Sequence, residues 1–356
     1  MPLKKMYPLV VTAFLLLLLP LLAHGEDKQI VITFVGDCTI GGEDRLREQE
    51  TSFDSYLNRN DYTYFFEKVQ PIIGSDDLTV ANLEGVFSNS AGNKMKKTYN
   101  FRGPTRYVNV LTESSVECVN VANNHSLDYS ATGMKRTAAA LNEAGVKWFG
   151  SNDVYRKTWI FEKDGIKIGF LGMEIGYWGK HQKIIEKQVK QLKKDGCQVV
   201  VGVYHGGTEY ATQRDYSQEN ISHRLIKYGC NVVIGHHPHV LQGIEVTKGA
   251  TICYSLGNFV FGGNARIKKE RALYTALFQF TFSFDEDNQY LGHQLNIIPA
   301  FTSADKEMNT YQPHLVSGSN AKTVLQQIQR DTSFKLKPYV DGVGAMQNFV
   351  PAYTKK

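Results

Sequence analysis

Short apolar runs rich in β-branched residues recur along the chain from about residue 30, and most of them end in a cluster of polar residues. Between the runs, apolar residues recur every three or four positions, as Met134, Ala138 and Leu141 do, which is the spacing of one helix face. Strands that alternate with helices predict an α/β fold with a largely parallel sheet. The predicted strands are 30–35, 78–83, 117–122, 166–172, 199–204, 231–234 and 251–254.

The pattern changes near the end of the chain. Two long runs, 271–284 and 290–301, flank the acidic turn at 285–288 and predict an antiparallel hairpin that closes a second sheet. Beyond about residue 303 the signal weakens to one short helical stretch at 324–329. We therefore predict a main domain over 26–302 and a peripheral C-terminal extension over 303–356.

The first 25 residues have the layout of a secretory signal peptide. Lys4 and Lys5 precede an apolar stretch at 8–23, and small residues lead to a cleavage site near Gly25. The alternative is an uncleaved membrane anchor, which is less favoured because the stretch is short and Pro20 interrupts it. The sequence thus predicts a secreted or periplasmic protein.

Composition and charge agree with a globular protein, since 42% of the residues are hydrophobic and 21% are charged. The net charge of +5 is small and scattered, so the sequence does not indicate a nucleic-acid partner. Lysines cluster between 183 and 194 on a predicted helix, where we interpret them as a solvated face rather than a docking patch.

The five cysteines are far apart and odd in number, which is not the pattern of a disulfide framework. Most of them lie in or beside apolar runs, so we expect buried free thiols. A bridge between Cys197 and Cys230 is the one alternative, because both residues lie where a predicted strand begins.

Polar clusters gather the residues that carry chemistry. Because the carboxyl ends of parallel strands meet at one edge of a sheet, clusters that follow those strands are expected to converge there. Together they predict a metal centre, since carboxylate and amide oxygens and imidazoles suit divalent ions such as Mn, Zn, Fe or Co. The clusters are Gly36-Asp37, Asn82-Leu83-Glu84, Asn123-Asn124-His125, His205-Gly206-Gly207-Thr208-Glu209, His236-His237-Pro238-His239 and Ser255-Leu256-Gly257-Asn258.

Each cluster alone is a weak signal. An aspartate after a strand as often caps a helix as it binds a ligand, and a single histidine is more often structural than metal-binding. The ordered series of clusters is far more specific, and it predicts one shared site for one or two ions.

The sequence motifs that contain these clusters resemble those of the poly-γ-glutamate synthesis (CapA) family, which is metallophosphoesterase-like. The resemblance covers about residues 32–261 and rests on "FVGDCTIGG", "VANLEGVFS", "VANNHSLDYS", "VYHGGTEY", "VVIGHHPHVLQGIEV" and "YSLGNFVF". It implies a four-layer αββα sandwich with two mixed β-sheets, the arrangement of the calcineurin-like phosphoesterases.

The resemblance also implies roles for individual residues. Six side chains would bind one or two divalent ions: Asp37, Glu84, Asn124, His205, His237 and His239. His125 would face the substrate as a general acid or as a stabiliser of the transition state. Five further side chains would orient ligands or substrate: Asn82, Asn123, Glu209, His236 and Asn258.

Two positions depart from the metallophosphoesterase pattern. The first motif of those enzymes is Asp-x-His, and here Asp37-Cys38-Thr39 lacks the histidine, so the first metal position has one ligand fewer. Glu84 stands where those enzymes have a bridging aspartate, and its side chain is longer by one carbon.

The resemblance leaves three hypotheses for function. The first is a metal-dependent hydrolase or transferase that acts outside the cytoplasm on poly-γ-glutamate, or on a phosphorylated or peptide-like envelope compound. The second is a non-catalytic accessory that binds the acidic polymer or its membrane synthase. The third is a secreted metal-dependent phosphatase or nucleotidase.

Overall fold

The protein is described by a computed structural model that covers residues 27–267 and 269–353. The predicted signal peptide lies outside the described residues. The strands in chain order are β1 (Lys28–Thr39), β2 (Leu78–Leu83), β3 (Val86–Phe87), β4 (Arg102–Gly103), β5 (Cys118–Asn120), β6 (Lys147–Ser151), β7 (Arg156–Lys157), β8 (Trp159–Lys163), β9 (Ile166–Glu174), β10 (Val199–His205), β11 (Val232–His236), β12 (Ile244–Thr247), β13 (Ala250–Cys253), β14 (Asn258–Phe261), β15 (Tyr274–Phe284), β16 (Tyr290–Phe301), β17 (His314–Leu315), β18 (Ala345–Met346) and β19 (Val350–Pro351).

Seven α-helices connect these strands within the described residues. They are α1 (Phe53–Arg59), α2 (Gln70–Ile73), α3 (Asn109–Thr112), α4 (Ser130–Glu143), α5 (Ile175–Lys194), α6 (Tyr216–Tyr228) and α7 (Gly318–Gln329). Short 3-10 helices lie at Asp44–Leu46, Tyr62–Phe65, Glu67–Val69, Thr105–Val108 and Glu270–Leu273.

The first sheet is built around β1. On one side β1 runs parallel to β2, which is followed by β5 and β6 in parallel order. On the other side it runs antiparallel to β15, which pairs with β16. The end of β1 also pairs with β14. The sheet is therefore mixed, as the resemblance implied.

The second sheet consists of strands from the middle of the chain. Its centre is the parallel series β9, β10, β11 and β13. Antiparallel β8 and β12 flank this series, and β7 adds a short antiparallel strand beside β6.

One strand joins the two sheets. β6 pairs with β5 of the first sheet, and its last residue, Ser151, pairs with Met173 of β9 in the second sheet. Gly150 lies at this transition with φ of +147°, and a Cβ there would come within 2.9 Å of Ala122. The strand can change sheets at this residue because glycine adopts that backbone conformation and needs no side-chain space.

Three apolar layers hold the sheets and helices together. Alternate residues of β1 point into the core between the sheets, where the ring of Phe34 lies 6.5 Å from that of Phe170 in β9. Helix α4 covers the outer face of the first sheet, with Met134 among its buried residues. Helices α5 and α6 cover the second sheet, with Ile185 and Leu225 inside. The predicted four-layer αββα arrangement is confirmed.

The predicted late hairpin is present, and it closes one of the two sheets. β15 and β16 pair antiparallel with each other and extend the sheet that contains β1. The alternation of apolar residues shows that a strand exists, but it does not specify the partner with which the strand pairs.

The sequence predicts a peripheral extension after residue 303. In the structure β17, β18 and β19 pair with β16, and α7 places Ala321, Val324 and Ile328 in the core between the sheets. Strands of two residues are too short to show an alternating pattern, which is why the sequence signal is weak there.

All five cysteines are buried and free, as expected, and Cys197 and Cys230 are not bridged. Within the described residues, none of the helices combines the length and the apolar character that a membrane crossing requires.

Candidate metal centre

The carboxyl ends of parallel strands from both sheets meet at one edge of the sandwich. Asp37 lies in the last part of β1, and Glu84 directly follows β2. His205 and His236 are the last residues of β10 and β11. The acidic side chains thus come from the first sheet and the imidazoles from the second.

Close packing of the backbone brings the loops of this edge together. A Cβ on Gly36 would lie 2.2 Å from the carbonyl oxygen of Gly257, so the loop before β14 rests directly on β1. The loop after β11 holds His237 at φ of +100° and His239 at φ of +59°, a region that side chains rarely adopt. Such strain is typical of functional loops.

Three buried side chains bring metal-ligand atoms close to one another. Atoms of Asp37, Glu84 and His205 lie within 4.8 Å of one another. Both carboxylate oxygens of Glu84 are buried and have no hydrogen-bond partner. A buried carboxylate without a partner is costly, and a cation would supply the missing interaction. The residues therefore fit a divalent metal ion.

Hydrogen bonds and close contacts orient Asp37. Asn82 Nδ2 donates to Asp37 Oδ1 at 2.8 Å, and the backbone N–H of His237 donates to Oδ2 at 3.2 Å. Nδ1 of His236 lies 3.0 Å from Oδ1 of the same carboxylate. Asp37 is held in one orientation by these groups.

His239 lies on the same side of the cluster as Asp37. Its Nδ1 is 2.8 Å from Asn258 Oδ1 and 3.4 Å from Asp37 Oδ2. Asn258 therefore helps to orient this imidazole, which is the role that the resemblance implied for it.

Asn124, His205 and His237 form a second group. His205 Nε2 lies 2.8 Å from Asn124 Oδ1 and 3.1 Å from His237 Nδ1. On its other side, His205 Nδ1 lies 3.2 Å from Asn82 Nδ2. Asn124 Oδ1 and His237 Nδ1 thus both lie close to His205 Nε2, which places the three side chains where they could share a second ion.

The charges of the cluster are strongly coupled. Burial opposes ionisation of Asp37, but the imidazoles of His236 and His239 outweigh it and hold the pKa of Asp37 well below its usual value. Burial and the nearby charge of Asp37 raise the pKa of Glu84 well above its usual value. Burial alone would lower the pKa of His239, but the two carboxylates raise it to about 9. Without metal, a proton on His239 balances part of this negative charge.

In the second group the pKa values of the imidazoles are lowered, whereas that of His239 is raised. Burial, with the neighbouring His237, lowers the pKa of His205 well below its usual value. Burial likewise lowers the pKa of His237. Both imidazoles are therefore neutral at physiological pH, and the neutral form is the one that binds metal.

His125 lies beside the cluster and is held by Asp128. Its Nδ1 is 2.7 Å from Asp128 Oδ2, while its Nε2 is 3.6 Å from Glu84 Oε1. The ring of Phe101 packs against the imidazole, with ring centres 4.3 Å apart. One nitrogen of His125 is thus occupied, and the other faces the candidate metal centre.

Asp128 and Lys97 are two residues of this site that sequence reasoning missed. Lys97 Nζ lies 2.7 Å from Asp128 Oδ1 and donates to the carbonyl oxygen of Asn124 at 2.8 Å. Asp128 is three positions after His125, a spacing that could have indicated it. Lys97 lies in an exposed loop without a regular pattern, and no sequence signal connects it with the site.

Asn123 and Glu209 were both expected to orient ligands or substrate, but only Asn123 lies within the cluster. Asn123 is buried, and its Nδ2 donates to the carbonyl oxygen of Leu83 at 2.7 Å and to Asn82 Oδ1 at 3.3 Å, so it fixes Asn82. Glu209 is exposed, and within the described residues its side chain makes no hydrogen bond to the cluster. Its charge acts on Glu84 and His237 only from a distance.

The structure therefore brings the six predicted ligands, Asp37, Glu84, Asn124, His205, His237 and His239, to one edge, with His125 beside them. Metal binding by these side chains stays a prediction.

The residues of the candidate centre lie within a region that matches a known protein family. The family model described as "Bacterial capsule synthesis protein PGA_cap" matches residues 31–263, which include every residue of the candidate centre. The chain belongs to this family. The predicted CapA resemblance is thereby confirmed, and the family is one of poly-γ-glutamate capsule synthesis.

Two curated relatives illustrate the match. The chain is 29% identical to "Capsule biosynthesis protein CapA" of Bacillus anthracis over 272 residues, which cover 70% of this chain and 64% of that protein. It is 25% identical to "PGA biosynthesis protein CapA" of Bacillus subtilis over 330 residues, which cover 88% of this chain and 81% of that protein.

Among solved structures, the chain is similar to a putative 5′-nucleotidase from Staphylococcus aureus. The TM-score is 0.44 and the sequence identity is 11%, over 84% of this chain and 58% of that chain.

Proposed function

We propose that this protein is an extracytoplasmic metal-dependent hydrolase or transferase that acts in the synthesis or processing of poly-γ-glutamate. The observation that carries the proposal is the buried carboxylate of Glu84, which has no hydrogen-bond partner and lies within 4.8 Å of ligand atoms of Asp37 and His205. Membership of a capsule synthesis family supplies the polymer.

Each group of the centre has a part in this function. Asp37, Glu84 and His239 would hold one ion, and Asn124, His205 and His237, with Glu84 between the groups, would hold a second. A divalent ion supplies Lewis-acid chemistry, which activates water and neutralises charge on the substrate. Mn, Zn, Fe and Co all suit this mixture of oxygen and imidazole nitrogen ligands.

His125 would move the proton. Its contact with Asp128 fixes the ring and keeps hydrogen on Nδ1, so Nε2 is directed at the centre. Burial lowers the pKa of His125, while the charge of Asp128 opposes that shift. Because the neutral ring carries its hydrogen on Nδ1, Nε2 would first take up the proton that the attacking water releases and then donate that proton to the leaving group, which is general base and general acid catalysis by one residue.

Location and partners follow from the sequence and the family. The signal peptide expected at residues 1–25 supports secretion or transfer to the periplasm. An acidic polymer, or a phosphorylated or peptide-like envelope compound, is the proposed substrate, and a membrane polymer synthase is the proposed partner. No nucleic acid is expected to bind.

The test compares two single variants, His125→Ala and His237→Ala. Each is measured for bound metal by elemental analysis after purification without chelators, and for turnover of poly-γ-glutamate and of a panel of phosphate esters. We expect His237→Ala to lose or weaken metal binding. His125→Ala should keep its metal and react about a hundredfold more slowly. Loss of metal from His125→Ala would refute the role given to this residue, and turnover restricted to phosphate esters would support a secreted phosphatase or nucleotidase.

A non-catalytic accessory is the second candidate function, and Thr39 favours it. This residue stands where the metallophosphoesterase pattern has a histidine ligand, and its buried hydroxyl has no hydrogen-bond partner. If the parent protein binds the polymer but turns over neither polymer nor phosphate esters with any of the four metals, the accessory function is the correct one.

A further inference from the structure

A concave basic surface lies at the edge of the second sheet opposite to the candidate metal centre. It encloses about 1410 Å³, and we call it the basic groove. Its lining includes Lys193 at the end of α5, residues of α6 and a turn after β12. The defining side chains are Lys193, Tyr216, Glu219, Arg224, Lys227 and Lys248.

The basic groove is remote from the candidate metal centre. Gln198 and Asn231, which precede β10 and β11, line the groove, whereas His205 and His236 end the same two strands at the metal centre. β10 has 7 residues. At about 3.3 Å per residue, the two sites are roughly 20 Å apart. A molecule bound in the groove therefore does not contact the metal ligands.

The charge of the basic groove is not balanced by the protein. Lys193, Arg224, Lys227 and Lys248 face a single lining carboxylate, that of Glu219. Within the described part of the chain, none of the four cations forms an ion pair with a carboxylate.

Basic side chains next to these cations do form ion pairs with carboxylates. Lys190, on the same helix as Lys193, pairs with Glu186 at 2.6 Å, and His223 pairs with Glu245 at 2.9 Å. Lys193 Nζ instead donates to the neutral amide of Asn231 at 3.2 Å. Several like charges held around one concavity create a positive potential that an anionic ligand would neutralise.

We propose that the basic groove binds a polycarboxylate chain, which is the acidic polymer of the proposed function. This inference rests on that function for the identity of the polymer. A chain with a carboxylate on every unit can contact several of the cations at once, so weak individual contacts add up to useful affinity. The concave shape suits a flexible chain better than the flat surface of a bilayer.

The consequence is that one polymer molecule is held at two places. Binding in the groove raises the effective concentration of the rest of the same chain near the metal centre, without any new contact there. The groove is then a retention site for the polymer and takes no part in bond cleavage.

The test measures binding of a fluorescein-labelled γ-linked glutamate oligomer by fluorescence anisotropy, with the full chain at low and at high salt. The groove variant is Lys193→Glu/Lys227→Glu. The matched control is Lys183→Glu/Lys187→Glu, because these exposed lysines lie on α5 outside the groove lining. Thermal unfolding checks that each variant is folded. If the groove variant is not, Arg224→Gln/Lys248→Gln repeats the test without adding negative charge.

We expect the groove variant to bind the oligomer at least about tenfold more weakly, while the control changes affinity by less than about twofold. Affinity of the parent should fall at high salt, because exposed charges are screened. Equal weakening in both double variants would overturn the proposal, since net charge alone would then explain binding. Binding of anionic lipid vesicles or single-stranded DNA, but not of the oligomer, would also overturn it.

Binding and chemistry can fail separately. The groove proposal requires that chelated protein still binds the oligomer, and that the groove variant weakens this binding at least about tenfold, as it does without chelator. If it does, and no form of the protein turns over polymer, the groove stands and the proposed enzymatic activity is wrong. If polymer is turned over but groove and control variants bind alike, the activity stands and the groove proposal is wrong.

Discussion

Replacing Glu84 with glutamine should make the metal-free protein more stable and the metal-loaded protein less stable than the parent. In the absence of metal, the Glu84 carboxylate is buried beside Asp37 and neither of its oxygens has a hydrogen-bond partner. Glutamine keeps the size of the side chain, removes the charge and adds an N–H that can donate to Asp37.

The size of the effect follows from the burial. An unsatisfied buried group costs about 1–3 kcal/mol, so relief of part of this cost should stabilise chelated Glu84→Gln by about 1–2 kcal/mol, or roughly 2–4 °C in melting temperature. Metal should make the parent the more stable protein, because an ion at about 100 times its dissociation constant adds about 2.7 kcal/mol to the free energy of unfolding of a protein that binds it. The variant, which lacks the anionic ligand, should gain little of this.

The pH dependence has a defined sign. The pKa of Glu84 is raised in the folded state, so its penalty grows as pH rises above the ordinary value of 4.5 and levels off above the folded pKa. The advantage of glutamine in chelated protein should therefore be full at high pH and shrink as pH falls toward 4.5.

Thermal unfolding of parent and variant, with chelator and with each candidate metal, measures both effects. Glu117→Gln is the control, because Glu117 already accepts a hydrogen bond from the backbone of Thr79 at 2.8 Å, away from the metal centre. Its effect on stability should be the same with and without metal. The reasoning about Glu84 is refuted if chelated Glu84→Gln is less stable than the parent, or if it keeps the full stabilisation by metal.

Three further outcomes are expected. Burial lowers the pKa of His293 from 6.5 to about 4, so the unfolded chain takes up the proton first and the stability of the folded protein falls as pH drops below 6.5. Urea unfolding should show that the parent loses about 2 kcal/mol of stability by about pH 5, whereas His293→Gln does not. Lys97→Met removes the contact with Asp128, so turnover should fall about tenfold with metal content unchanged, and a parallel loss of metal would contradict this role. In Gly235→Ala the new Cβ would lie 2.1 Å from the carbonyl oxygen of Tyr254, so urea unfolding should show a loss of about 3 kcal/mol, which a neutral result would contradict.

The sequence allows the candidate ligands to be predicted because the carboxyl ends of parallel strands lie at the same edge of a sheet. Once the run at 78–83 is identified as a strand, Glu84 must lie at its carboxyl end, and the structure gives β2 the same bounds. His205 and His237 follow by the same argument from β10 and β11. These predictions need no knowledge of which strands are neighbours.

The arrangement of the sheets could not be predicted in the same way. The apolar pattern of 274–284 indicates a strand but not that it pairs with β1, since pairing depends on contacts between residues about 250 positions apart, such as Gln29 with Ser283. The apolar pattern does not indicate β6, whose change of sheet depends on the conformation of one residue, Gly150. Lys97 reaches the site from an exposed loop, where no periodicity constrains position.

The division of the candidate ligands between the two sheets has a consequence for redox sensitivity. Asp37 and His239 are about 200 positions apart in the chain, so an ion that joins them would close a loop that costs the unfolded chain about 5 kcal/mol in the entropy model used for disulfides. All five thiols are free. The ion would thus serve as a cross-link between the sheets in place of a disulfide. It would offer no S–S bond for a thiol reductant to cleave, and a chelator would remove it.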